Sequence, residues 1–326
     1  MHLGVLVPAA VSDPTDFAIR AEELGYDSAW VPELWHESAI VRLTDVAART
    51  DRIELGTAIV NVYSRTPAVL AMTAATLDRV SDGRFTLGVG TSTKKAIEDL
   101  HGQDWDDPNP VRRAHETIEL TKRFLADDGR VNYDGEVFHA ADFPALGADV
   151  PIYHAALGRA NRRVVARLCD GWIPHNVPFR DLPEAFEYVA EHAEEAGRDP
   201  DDVAVAPYVP ACVSDDGEEA RQKVREHLAY YVGSGRGYER AVAGRFPEEA
   251  ERVATLWRDG DRGEATAAVT DGMVRALGVA GSPEEAREQL REVAAVDVID
   301  RPLVTIPNGA GDLAERTLEE LAPERL

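Results

Sequence analysis

The stretch Arg84–Lys95, RFTLGVGTSTKK, is an apolar run that breaks into glycine, threonine and serine and at once meets two lysines. A short apolar run closed by turn residues fits a strand covered on both faces, as in a parallel sheet. The same pattern recurs on either side. Upstream lie HLGVLVP (2–8), SAWVP (28–32) and RIELGTAIVN (52–61); downstream lie VPIYHAA (150–156), DGWIPHN (170–176), VAVAPYVPACV (203–213) and RPLVTIPNG (301–309). Longer helical stretches separate them. The first runs from about Pro14 to Leu24 with Gly25 as its stop, and another has Pro67 in its first turn, where proline costs least. Only VNYDGEVFHAADFPAL (131–146) breaks the rhythm, and it predicts a hairpin at Asp134-Gly135.

Eight strands alternating with helices predict an α/β fold, a (β/α)₈ TIM barrel, over a single domain spanning 1–326. About 90 residues separate the seventh and eighth strands, far more than one crossover needs. Most of that stretch is charged and helical, so a helical insertion is expected at about 216–295. The competing architecture is a doubly wound open sheet.

The charge balance excludes some partners. Asp and Glu number 59 against 35 Lys and Arg, for a formal net charge of -24, and only Lys94, Lys95, Lys122 and Lys223 are lysines. Nucleic acid and anionic membrane are poor partners for such a chain. An acidic coat with little lysine matches proteins of high-salt cytoplasm, where salt screens self-repulsion; the alternative is an acidic face that docks a basic partner. Cys169 and Cys212 sit in apolar surroundings and read as small buried hydrophobes of a reduced, cytoplasmic protein. The N-terminus reads as a first strand rather than a signal peptide, and no run approaches the length of a membrane span.

In a barrel the active site lies at the C-terminal ends of the strands. GVGTST holds only the first two glycines of a dinucleotide fingerprint, with Thr93 at the third position, and is weak alone. A second small-residue loop, AALGRANRR, adds weight: backbone amides of Ala156, Leu157 and Gly158 at a helix start, with Arg159, Arg162 and Arg163 beside them, form an anion site. A cofactor with a phosphate or carboxylate tail is the expected occupant. No CxxC, HExxH or EF-hand spacing marks a metal site, and no GxSxG elbow marks a nucleophile. Candidate acids and bases at strand ends are Glu33, His36, His154 and His175, of which Glu33 and His36 are three apart.

Six segments in order carry a resemblance: YDSAWVPE, LGTAIVNVYSRTPAVLA, SDGRFTLGVG, VPIYHAALG, CDGWI and AVTDGMVRALGVAGSPEEAREQL. Together they resemble the luciferase-like superfamily in its coenzyme F420-dependent branch, nearest the archaeal methylenetetrahydromethanopterin reductases. The resemblance implies F420 at the mouth of the barrel and a non-prolyl cis peptide at Ala58-Ile59 supporting the deazaflavin ring. It implies cofactor contacts from Asn61, with the ring edge near Glu33, Gly90, Thr91 and Ser92, and the phosphate on Ala156, Leu157, Gly158 and Arg159. It also implies a homo-oligomer, dimer or tetramer, acting on a pterin.

The chain departs from that family at three positions. Related enzymes carry a carboxylate where Thr93 stands, the methylene reductases a glutamate where Leu6 stands, and the sugar-phosphate dehydrogenases a histidine where Leu34 stands. Losing that histidine argues against alcohol oxidation, which needs a base. Losing the carboxylates leaves hydride transfer, which the cofactor carries, but removes the expected acid. The resemblance therefore implies reduction of a methylene-tetrahydropterin, of folate or methanopterin type, with Glu33, His36 or a water held by Thr93 supplying the proton. Three alternatives stay open: an FMN-dependent monooxygenase, an NADH-dependent methylenetetrahydrofolate reductase without flavin, and a non-catalytic cofactor binder.

Overall fold

The computed structural model describes residues 2–35, 37–106, 109–126 and 129–326. Among them the strands are β1 (Gly4–Leu6), β2 (Ser28–Val31), β3 (Glu54–Thr57), β4 (Val60–Asn61), β5 (Phe85–Gly90), β6 (Arg130–Asp134), β7 (His139–Pro144), β8 (Ile152–Ala155), β9 (Gly171–Trp172), β10 (Ala204–Val205), β11 (Tyr208–Val213), β12 (Val279–Gly281) and β13 (Leu303–Thr305). Contacts group the chain into two compact units, one made of 28–172 and 188–204, the other of 1–27, 173–187 and 205–326.

In the unit built on 28–172, a parallel sheet runs in the order β2, β3, β5, β8, β9, with β4 also on β5. All six residues of β5 are buried, which is why FTLGVG carries no polar alternation. Large rings lie over glycines of the next strand: a Cβ on Gly56 would come within 2.1 Å of the Trp30 ring, and one on Gly171 within 2.6 Å of the Tyr153 ring. The two rings meet at 5.7 Å, so the small residues set how closely these strands pack.

The turn before β5 places Asp82 and Gly83 at φ 61 and 80. Arg84 then donates to the carbonyls of Ala47, Thr50, Ile53 and Ser81, the first being the last residue of the helix Ala39–Ala47. One guanidinium thereby satisfies the carbonyls left over at a helix end and at a strand start. The predicted hairpin forms as β6 and β7, antiparallel, with a four-residue connection in place of a tight Asp134-Gly135 turn. It is held by Glu116, whose buried carboxylate accepts from the N–H groups of Glu136, Val137 and Phe138 and from Arg112.

In the other unit β1, β13, β11 and β12 form a parallel sheet in that order. Here the structure corrects the sequence reading. The stretch 216–295 is not wholly helical: after the helices Gly217–Ser234, Arg236–Ala243, Pro247–Asp259, Arg262–Ala267 and Asp271–Leu277, β12 returns to pair with β11 before the helix Pro283–Ala294. Three small residues, VAG, are too short a run to stand out among charged helices. The expected seventh strand is likewise two pieces, β10 and β11, separated at Ala206-Pro207.

Candidate active site

The strand RIELGTAIVN is interrupted where β3 ends and β4 begins, and the Ala58–Ile59 peptide is cis. Thr57 bridges the interruption: its hydroxyl donates to the Gly88 carbonyl at 2.7 Å and accepts from the Gly88 N–H at 2.8 Å, replacing ladder bonds. The Ile59 side chain lies over Gly90, where a Cβ would come within 3.0 Å of it and within 3.4 Å of Ala155. A side chain at 90 would therefore make Ile59 give way by a few tenths of an ångström. Asn61 is buried, with its carbonyl oxygen taking the N–H groups of Tyr63 and Ser64 and its amide nitrogen 3.0 Å from His101 Nε2. That pairing makes Asn61 the organiser of the 61–65 loop and ties it to the segment after β5. Tyr63 stacks on Trp105 at 5.8 Å and donates to its carbonyl, reinforcing the same tie.

Glu33 follows β2, and its backbone N–H donates to the Ile59 carbonyl at 3.3 Å. Its carboxylate is 13% exposed and accepts from both terminal nitrogens of Arg65 and, at 3.0 Å, from the N–H of Ala39 at the start of the helix Ala39–Ala47. Both oxygens are therefore occupied as acceptors, which suits an ionised anchor at a helix N-terminus. His36 lies outside the described residues. Beside Glu33, Leu34 and Trp35 expose apolar surface, and Leu6 is buried on β1.

After β5 the chain turns through Thr91, Ser92 and Thr93, all half-buried, with Ser92 at φ 63. The Thr93 hydroxyl accepts from the Ala96 N–H at 3.3 Å, so its own proton is left to donate outward. The two lysines that make RFTLGVGTSTKK look like a phosphate loop are paired at the surface, Lys94 with Glu98 and Asp106, Lys95 with Asp99. This loop is a polar rim rather than a positively charged one.

The second loop differs. Gly158 precedes the helix Arg159–Leu168 with ordinary φ of -75, and no side chain caps that helix. Nothing lies within 4 Å of where a Cβ on Gly158 would stand. Neither conformation nor packing within the folded chain asks for glycine there; the open space in front of uncapped helix amides does fit a phosphate. Ala156 is buried and its carbonyl accepts from the Trp172 indole at 2.7 Å, which fixes the loop from behind. His154, fully buried on β8, donates from Nδ1 to the Val89 carbonyl at 3.1 Å. Burial holds its pKa below the ordinary value, against the pull of Val89 and Asn161, so it is a neutral strut between β8 and β5.

In the other unit, His175 and Asn176 follow β9. His175 packs against Tyr208 at 4.7 Å, Tyr231 at 4.3 Å and Tyr238 at 5.3 Å, and its Nε2 lies 3.4 Å from His227 Nε2. Burial, then His227, lowers the His175 pKa well below its usual value, and burial brings His227 to about 4. Asn176 is 3% exposed, sits at φ 58, and neither side-chain atom has a hydrogen-bond partner. The sequence reading found His175 but not the three tyrosines and His227. Their one visible signal is the i, i+4 spacing of His227 and Tyr231 on the helix Gly217–Ser234.

Among the described residues no group of three or more His, Cys, Asp or Glu could hold a metal ion, and no helix is long and apolar enough to cross a membrane. Residues 2–298 match the family model described as luciferase-like monooxygenase. The chain is 28% identical over 295 residues to a 5,10-methylenetetrahydromethanopterin reductase of Methanolobus tindarius, covering 88% of this chain and 89% of that protein. It is 29% identical over 314 residues to a putative coenzyme F420-dependent oxidoreductase of Mycobacterium tuberculosis, covering 89% and 90%. It superposes on the coenzyme F420-dependent tetrahydromethanopterin reductase of Methanopyrus kandleri with a TM-score of 0.83 and 25% identity, covering 99% of this chain and 97% of the other. The chain belongs to the luciferase-like family, and its mixed α/β fold is that family's TIM barrel.

Proposed function

We propose that the chain is a coenzyme F420-dependent oxidoreductase that reduces a methylene-tetrahydropterin, of the folate or methanopterin type, to the methyl form. The observation that carries this reading is the likeness, over nearly the full length of both chains, to the Methanopyrus reductase. The F420 dependence in the names of several relatives supports the cofactor, and the open, uncapped cradle at Gly158 has room for its phosphate.

When bound, reduced F420 supplies the hydride. The residues of the chain do the rest. Ala156, Leu157, Gly158 and Arg159 would hold the phosphate, and Ala58, Ile59, Asn61 and Gly90 would support the deazaflavin, with Thr91 and Ser92 beside it. Glu33, held in place by Arg65 and the Ala39 N–H, would turn its carboxylate to the cationic methylene carbon that forms as the pterin ring opens. The proton for the departing ring nitrogen would come from a water held by the Thr93 hydroxyl, which accepts from the Ala96 N–H and keeps its O–H for that water. That water would take the place of the carboxylate that the resemblance implies at this position.

The test is oxidation of reduced F420, followed by its absorbance, on adding methylenetetrahydrofolate or methylenetetrahydromethanopterin. NADH and reduced FMN serve as the other donors. Pterin-dependent oxidation of F420 alone is expected. Turnover with NADH alone, or oxygen uptake with FMN, would replace the reading by the corresponding alternative.

A further inference from the structure

Near the cradle a groove of about 470 Å³ opens between the helices Pro110–Leu125 and Arg159–Leu168, with Tyr188 at one side. Arg163 and Arg167 line it from one helix, Arg112 and His115 from the other. In a chain of net charge -24 this is an unusual concentration of cations. Arg112 is neutralised by Glu116 and Glu136. No described carboxylate lies within 4.0 Å of Arg159, Arg163 or Arg167.

These arginines are badly placed for the helix itself. Its sequence, RANRRVVARL, has no acidic residue in the first turn and puts Arg159, Arg162 and Arg163 at the end where the macrodipole is already positive. Arg159 and Arg162 also share one tyrosine face, at 5.5 and 5.4 Å from the Tyr188 ring. Burial, then the charge of Arg159, lowers the pKa of Arg162. Arg163 donates to His192 Nε2 at 2.8 Å, a neutral partner that orients the guanidinium without cancelling its charge. His192 is fixed in that tautomer by its Nδ1 bond to the Tyr188 carbonyl at 3.0 Å. His115 Nδ1 is buried 3.8 Å from Glu119, with no hydrogen-bond partner. A structural role would have paired Arg159, Arg163 and Arg167 with the plentiful carboxylates of the chain.

We propose that this groove is an anion subsite that holds the carboxylate-bearing tail of the ligand whose phosphate sits at Gly158. The inference rests on the F420 reading above for the identity of that ligand, F420 carrying a γ-linked glutamyl tail. The positions agree. Ala160, Arg163, Val164 and Arg167 follow the i, i+3, i+4, i+7 pattern of one helix face. Arg167 is eight residues beyond Arg159, so the face extends about 12 Å from the cradle at 1.5 Å per residue. A chain of two or three glutamates leaving the phosphate spans that distance.

The experiment is a fluorescence titration of wild type and of the double variant Arg163→Gln, Arg167→Gln, in which the amide introduced by the first substitution keeps a donor for His192. Two probes are compared, F420 with several glutamates and the form that keeps the phosphate but lacks glutamate. Wild type should bind the tailed form about tenfold more tightly at low salt, as a few exposed ion pairs permit. The gap should close as salt rises and vanish in the variant, with affinity for the tail-less form unchanged. Equal affinity of wild type for the two probes, or a gap that survives in the variant, would overturn the proposal. A change of oligomeric mass in the variant without a change in either titration would overturn it too, giving the groove to a second copy of the chain. Protection of the groove arginines from phenylglyoxal by tri-γ-glutamate, read by mass spectrometry, tests the groove without deazaflavin. Protection without F420 binding would sink the cofactor reading and leave the subsite standing; no protection and no tail effect would remove the subsite alone.

Discussion

Both oxygens of Glu33 accept from the guanidinium of Arg65, 32 residues away, and one also accepts from the Ala39 N–H. The pair closes the segment after β2 onto the 61–65 loop, which Asn61 holds from its other side. Glu33→Gln replaces the carboxylate by an amide and should lower turnover about 10²-fold, the lower end for loss of one active-site electrostatic group, with F420 affinity little changed. Adding Arg65→Ala should cost little more, because the two act as one unit. Single-turnover kinetics of the single and double variants decide it, and unchanged turnover in Glu33→Gln removes the residue from the chemistry.

Gly158→Ala separates ligand from fold. Its φ of -75 suits any residue and its Cβ would touch nothing in the protein, so only the lower preference of the N-cap for alanine counts, and stability should fall by no more than about 1 kcal/mol. The methyl group would occupy the proposed phosphate position, so affinity for F420 should fall while affinity for the deazaflavin lacking phosphate should not. An equal loss for both ligands would mean that the cradle is elsewhere.

The imidazoles of His175 and His227 meet nitrogen to nitrogen at 3.4 Å, so they can share one proton but cannot both be charged. Burial lowers both pKa values, that of His227 to about 4, from an ordinary 6.5. The unfolded chain therefore binds more protons between these values. The stability contribution is intact above pH 6.5 and is lost progressively as pH falls toward 4. The melting temperature of wild type should drop across this window, and His227→Phe should flatten the drop. An unaltered pH profile in that variant would show that the pair does not set acid stability.

Glu116 is the clasp of the β6–β7 hairpin. Burial opposes its ionisation, but the N–H groups of Val137, Glu136 and Phe138, with Arg112, outweigh it and hold the pKa below the ordinary 4.5. Its support is present above that value and is lost only as pH falls through the lowered one. Glu116→Ala leaves three amides without partners and should cost about 3 kcal/mol locally. Hydrogen exchange at Val137 and Phe138 should accelerate accordingly; retained protection would refute the role.

The strand framework was legible because strands covered on both faces read as unbroken apolar runs, as FTLGVG does. The cis peptide at Ala58-Ile59 was expected through resemblance alone, since nothing in TAIV distinguishes it from ordinary strand. β12 escaped because three small residues carry no periodicity. The sequence alone did not show what Lys94 and Lys95 do; in the fold they are taken up by Glu98, Asp106 and Asp99. The Glu33–Arg65 pair and the His175–His227 contact join residues 32 and 52 positions apart, and no local pattern announces such pairings. Gly158 was legible as a helix start with arginines behind it, and the helix does begin at Arg159.

The pairing of β12 with β11 has an architectural consequence. The helices from Gly217 to Leu277 leave one strand and return to its immediate neighbour, with Ala211 opposite Val279. Their entry and exit thus lie within about 10 Å of each other. Parallel neighbours need a connection of about a dozen residues, so most of this segment exceeds what topology requires. The segment is clipped at both ends to the same strand pair. A chimaera made at Val213 and Val279 therefore exchanges the helices without moving the strands, provided the donor supplies partners for His175 in place of His227, Tyr231 and Tyr238.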